Sequence, residues 1–148
     1  MAYDAIDIAN EVLANTDTEH GETISNLKLQ KMLYYLQGFF IAALGRPLFD
    51  DPIVAWQYGP VVPRVYHHFK HLGQGAIPPP TDHEPLAFSE NEESLFAEVL
   101  EEYGQFSAIK LMKMTHQEKP WQKTFSEKPQ GEIDRQLLAE HFKTMIED

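Results

Sequence analysis

Two lysines three residues apart, Lys28 and Lys31, interrupt an apolar helical pattern and are followed by Tyr34 and Tyr35. On a helix the lysines project near one another on the flank of the apolar stripe. Their stems can cover oily surface while the ammonium heads stay in water, and either can pair with a carboxylate of the acidic helix predicted further along the chain. Tyr34 and Tyr35 point to different faces, so at least one is expected at the surface beside a lysine, a pairing that suits a protein contact site. A second group, Trp56, Tyr58, Gly59, Pro60, Val61 and Val62, reads either as a core tryptophan before a turn or as a rigid turn presenting two aromatic anchors. In the third group, THQEKPW, His116 lies close to Glu118 and Trp121. A histidine held by a carboxylate can act as a general base, but no Gly-x-Ser-x-Gly elbow supplies a nucleophile. The plainer reading is that Thr115 or His116 fixes a turn between two helices, with Trp121 plugging the core.

His67 and His71 are four apart, which puts two imidazoles on one helical face. A metal site needs a third ligand, the HExxH pattern is broken by Phe69 and Lys70, and Lys70 would repel a cation, so no metal is expected. Gly73-Gln74-Gly75 does not open a helix and cannot cradle phosphate. No cofactor is expected either.

The elements that must position these groups are mostly helical. Ala5, Ile6, Ala9, Val12 and Leu13 recur at helical spacing and predict a first helix. Ser25 is a candidate N-cap for a second, whose apolar residues run from Leu27 to Leu44 as one broad face and which Gly45-Arg46-Pro47 ends. Ile53 to Trp56 predicts a short strand, the only credible one, and Gly59-Pro60 a turn into a third helix with Pro63 in its first turn. The proline-rich segment from Gly73 to Phe88 is expected as an exposed loop. Ser89 and Glu92 form a capping-box signature for an acidic helix ending at Gly104. A short helical pattern from Phe106 to Thr115, a change of direction at Pro120-Trp121 and a final amphipathic helix through Ile133, Leu137, Leu138, Phe142 and Ile146 complete the chain. The expected fold is mainly α, a single compact domain over residues 1–148 of five or six helices with at most a small β patch.

Composition narrows the function classes. The 148 residues suffice for one core, and no apolar run approaches the roughly 20 residues that a membrane span requires. The N-terminus carries carboxylates where a secretory signal carries basic residues, so a cytoplasmic protein is expected. The absence of cysteine removes disulfides, thiolate metal sites and cysteine nucleophiles. A net charge of -11 works against binding to nucleic acid. From Thr81 to Gly104 there are eight carboxylates and no lysine or arginine. Charge runs are usually solvated faces; the sharper reading is a surface for a basic partner, with Glu92, Glu93, Glu98, Glu101 and Glu102 on its helix.

Three blocks, LKLQKMLYYLQG, GRPLFDDPIVAWQYGPVVPRVYHHFK and LMKMTHQEKPWQKTF, occur in the order and spacing of the Panacea domain. The chain resembles that family of SocA-like and GepA-like, often phage-associated proteins over nearly its whole length. The resemblance implies an antitoxin without chemistry of its own that binds and neutralises a small protein toxin. It also implies, as an alternative, an adaptor that delivers the toxin to a AAA+ protease. A hydrolase-type enzyme using His116 is the rival from another class. The residues that fall in the matching blocks, and so become candidates for partner binding, are Lys28, Lys31, Tyr34, Tyr35, Trp56, Tyr58, Pro60, His116 and Trp121.

Overall fold

The computed structural model describes residues 2–146. One helix organises it. α2 (Asn26–Leu44) is capped at its start by Ser25, whose Oγ accepts from the Lys28 amide, and at its end by Gly45 at φ 74°. A left-handed residue there is costly for anything but glycine. From Leu29 to Phe40 every side chain of α2 is buried. That corrects the expectation of one oily face: a helix buried all round is the centre of a core. α1 (Ala5–Ala14), α3 (Pro63–Phe69), α4 (Glu90–Gly104), α5 (Ala108–His116) and α7 (Arg135–Met145) all pack on it. A single hydrophobic cluster runs through these helices, from Ala5 to Phe142.

Among the described residues there are seven α-helices, where five or six were expected. The additional one is α6 (Lys119–Glu127), at the point read from sequence as a mere change of direction. Pro120 sits in its first turn, where the missing N–H is no loss because those amides have no helical acceptor. The expected turn at Gly59-Pro60 is also corrected. β1 (Val54–Trp56) and β2 (Gly59–Val61) form an antiparallel hairpin in which Ala55 faces Pro60 and Trp56 faces Gly59, so the turn is Gln57-Tyr58. On the other side of β1, the Ala55 amide donates to Gly131 O (2.9 Å) and the Gln130 amide to Ala55 O (2.8 Å).

Polar side chains of α2 hold the loops in place of a larger sheet. Gln30 Oε1 accepts from the Val62 amide (2.8 Å) and Asn26 Nδ2 donates to Tyr66 O (3.0 Å). Gln37 Nε2 donates to Phe49 O (2.7 Å), while its Oε1 accepts from the Leu48 amide (2.7 Å). Each bond satisfies a buried backbone group that would otherwise carry a desolvation penalty.

The capping box on α4 forms as expected, but Glu92 does not belong to the anionic surface. It is buried, accepting from Tyr3 Oη (2.8 Å) and Arg46 Nη2 (3.0 Å). The proline-rich loop is more firmly held than its composition predicted. The Ile77 amide donates to Ile24 O, and Glu11 Oε1 bonds His83 Nε2 (2.6 Å) and accepts from the Leu86 amide (3.1 Å). Among the described residues no helix is long and apolar enough to cross a membrane.

Candidate functional site

The nine candidate residues divide into an inner and an outer set. Lys31, Tyr34, Tyr35 and Pro60 are buried. This corrects the expectation that the lysine heads reach water and that one tyrosine is exposed: these positions lie on the stretch of α2 that is covered on every side. Tyr58 is 62% exposed, and Lys28, Trp56, His116 and Trp121 are half-buried. Only this outer set can meet a partner without the fold opening.

The inner set is a polar cluster inside the core. Tyr34 Oη and Tyr35 Oη each donate to one oxygen of Glu118, both at 2.8 Å. Glu118 is the N-cap residue of α6, so its position brings the carboxylate from the α5–α6 turn down onto α2. Burial raises its pKa, an effect the two phenol donors partly offset. Burial also raises both tyrosines, as does the Glu118 charge. The Nε2 of His141 approaches Glu118 Oε1 to 3.7 Å, beyond hydrogen-bonding range.

The pairing that could make His116 a general base is therefore not formed, because Glu118 is engaged by the tyrosines. The His116 ring stacks on Trp121 with centroids 4.1 Å apart, and its buried Nε2 has no hydrogen-bond partner among the described residues. Burial lowers its pKa, and the Lys31 charge adds to that. The expected turn-fixing role falls to backbone and hydroxyl groups: Thr115 Oγ1 donates to Met112 O (2.7 Å) and Gln122 Nε2 to His116 O (2.8 Å).

Lys31 reaches beneath the hairpin. Its Nζ donates a single hydrogen bond, to Pro60 O at 3.2 Å, and desolvation lowers its pKa to about 7. Gly59, at φ 108°, lies directly over it: a Cβ there would come within 2.7 Å of Lys31 Cε and 3.0 Å of Thr115 Oγ1. The glycine is required twice, by conformation and by space. Lys28 is not paired with a carboxylate of α4 as expected. Its Nζ donates to Gly104 O (2.7 Å), where the exposed carbonyls at the end of α4 attract a cation.

Apart from Lys28, the outer set lies along one aromatic edge. Trp121 Nε1 donates to Trp56 O (2.7 Å), locking α6 to β1. Phe125 stacks on the other face of the run, 4.7 Å from Trp121, and Trp56 meets Tyr66 edge-on at 5.1 Å. Tyr58 projects from the hairpin tip beside them. His67, His68 and His71 are exposed, and no metal-binding group of His, Asp and Glu occurs among the described residues.

Two residues that shape the site escaped the sequence reading. Glu118 was noted only as a neighbour of His116, since its tyrosine partners lie more than eighty residues away in the chain. Gln30, which holds the hairpin, was legible only as a polar residue within an apolar run. Replacing Glu118 by alanine leaves two buried phenol hydroxyls unpaired and is expected to cost about 2–4 kcal/mol in urea unfolding, with Glu118→Gln costing less. Equal losses for the two variants would mean that the carboxylate charge, not acceptance from the tyrosines, matters.

The family described as Antitoxin SocA-like, Panacea domain, matches residues 29–122. Antitoxin SocA of Caulobacter vibrioides (strain NA1000 / CB15N) is 50% identical over 50 residues, which is 34% of this chain and 27% of that protein. The similarity thus spans about a quarter of that relative's length. No solved structure matches. The family stretch takes in the whole aromatic edge, while Lys28, α1 and α7 fall outside it.

Proposed function

This chain belongs to the SocA-like, Panacea-domain family of antitoxins, and from that premise we propose that it neutralises a small protein toxin by direct stoichiometric binding in the cytoplasm. It performs no chemistry of its own in this reading. The observation that carries the binding surface is the convergence of Trp56, Tyr58, His116 and Trp121, drawn from two distant segments, on one outer edge within the matched stretch. Aromatic anchors at the centre of a polar rim are the usual source of binding energy in protein interfaces.

The test is co-expression with the product of the small open reading frame beside its own gene, followed by co-purification. Rescue of growth together with a stable complex is the expected result. A neighbour that is toxic yet neither rescued nor bound would remove the reading. Tyr58→Ala is expected to leave the melting temperature unchanged, because the ring is exposed, and to weaken the complex by about 30-fold, the loss typical of a central aromatic anchor. Titration calorimetry on the purified pair measures it; undiminished affinity would move the interface away from the hairpin tip.

A further inference from the structure

Charge on this molecule is segregated. The α5–α6 edge, from Ala108 to Lys128, holds five lysines and two glutamates in a chain whose net charge is -11. The glutamates offset little of this: Glu118 is turned inward to the tyrosines, and Glu127 pairs only with Lys123, at 2.6 Å. Lys110, Lys113, Lys119 and Lys128 are exposed and make no ion pair among the described residues. By contrast, all three arginines are paired with carboxylates: Arg46 with Glu92, Arg64 with Asp4 and Asp51, and Arg135 with Asp50.

Two of the unpaired lysines also occupy positions that local physics disfavours. Lys119 is the first residue of α6 and Lys110 lies in the first turn of α5. A cation at a helix N-terminus opposes the helix dipole. With 23 acidic residues in the chain, carboxylates at these places would have been both available and stabilising. The patch shares its helices with the aromatic edge: Lys113 is one turn before His116 on α5, and Lys119 opens the helix that carries Trp121.

We propose that the hairpin tip and the α5–α6 edge together receive an acidic segment of the partner, one that carries carboxylates around an apolar or aromatic anchor. The inference rests on the toxin-binding reading and deepens it, and it reverses the expectation of a basic partner drawn from the acidic run of α4. At physiological salt the screening length is about 8 Å, so the local lysines outweigh more distant carboxylates once the surfaces touch. The overall negative charge slows the encounter with an acidic partner and leaves the contact itself favourable. A polyphosphate chain would present a more extended negative charge to the whole body, and the edge offers lysines without the bidentate forks that arginines supply to phosphate.

Fluorescence anisotropy with a short labelled peptide of alternating leucine and glutamate around a central tyrosine, its leucine–lysine counterpart and a labelled oligothymidine tests this. The expected result is that the glutamate peptide binds about 10-fold or more tightly than the lysine peptide. Lys113→Glu with Lys119→Glu should abolish that preference, while Glu98→Lys with Glu101→Lys on α4 leaves it. All four positions are exposed, and thermal melts check that the variants remain folded. Preference for the lysine peptide, tighter binding of oligothymidine, no binding of either peptide, or a preference that survives reversal of the lysines overturns the inference. If the glutamate peptide binds but the toxic neighbour is not rescued, the antitoxin reading fails and the charge preference stands. Rescue with no charge preference removes only the inference.

Discussion

Replacing Lys31 by methionine is expected to stabilise the protein at neutral pH and to flatten a rise in its stability between about pH 7 and pH 10. Lys31 is fully buried with one hydrogen bond, to a neutral carbonyl, and burial lowers its pKa from 10.5 to about 7. In that window the unfolded chain holds the lysine proton and the folded chain has released it. Stability therefore increases with pH, and below pH 7 the full cost of burying the charge is present. The linkage amounts to roughly 3 kcal/mol across the window. Tyr34, Tyr35 and Tyr103 act with the opposite sign, since their pKa values are raised on folding and their contribution is lost only above their unfolded value of about 10. Methionine fills a similar volume and leaves only the Pro60 carbonyl short of a donor, a smaller penalty than the buried charge. Urea titrations of both proteins from pH 6 to about pH 10 measure the difference; parallel pH profiles would show that the ammonium is solvated in the folded protein.

The second large effect is steric. Gly38 lies in α2 against the face of Phe142 from α7, and a Cβ there would overlap the ring, with Cζ only 2.6 Å away. The ring has nowhere to move, being packed edge-on against Phe39, Tyr34 and Tyr35 with centroids 4.9, 5.4 and 5.9 Å away. Alanine in a helix interior gains about 1 kcal/mol over glycine, whereas overpacking a closed site costs about 3 kcal/mol, so Gly38→Ala should be a net loss of about 2 kcal/mol. Phe142→Ala alone should cost about 4 kcal/mol through the cavity it leaves. The double variant should be at least about 1 kcal/mol more stable than the sum predicts, because the new methyl enters the vacated space. Strict additivity in thermal unfolding would separate the two residues energetically.

Local signals made six of the seven helices readable in their places. Ser25, Gly45 and the Ser89–Glu92 box supply their own caps, Pro63 marks the start of α3, and apolar spacing marks α1, α2, α4, α5 and α7. The hairpin was hidden because Gln57-Tyr58 lacks the Asn-Gly chemistry of tight turns, while Gly59-Pro60 has the composition of a turn and forms a strand. Pro60 is tolerated there because a short two-stranded ribbon asks little of its missing donor. α6 was hidden by Pro120, which sequence reasoning treats as a break and which the fold uses as a start. At the site, the outer aromatics stood out by type. Periodicity could not show that Lys31, Tyr34 and Tyr35 lie inside, because α2 has no solvent side over that stretch: its surroundings are set by α4, α5 and α7, distant in the chain. The Glu118 bond to both tyrosines is likewise a product of tertiary folding.

The place of α7 in the core has a consequence for timing. Its Phe142 closes the side of α2 that Gly38 leaves open, yet the two residues are about a hundred positions apart in the chain. Synthesis runs from the N-terminus, so a nascent chain carries α2, the hairpin and α6 for some time before α7 exists. Until then the aromatic rings of α2 lack their cover, and the docking that completes the core joins contacts of high sequence separation, the slow kind. On the toxin-binding reading proposed above, competence to bind therefore waits until α7 has been made and docked behind the aromatic edge.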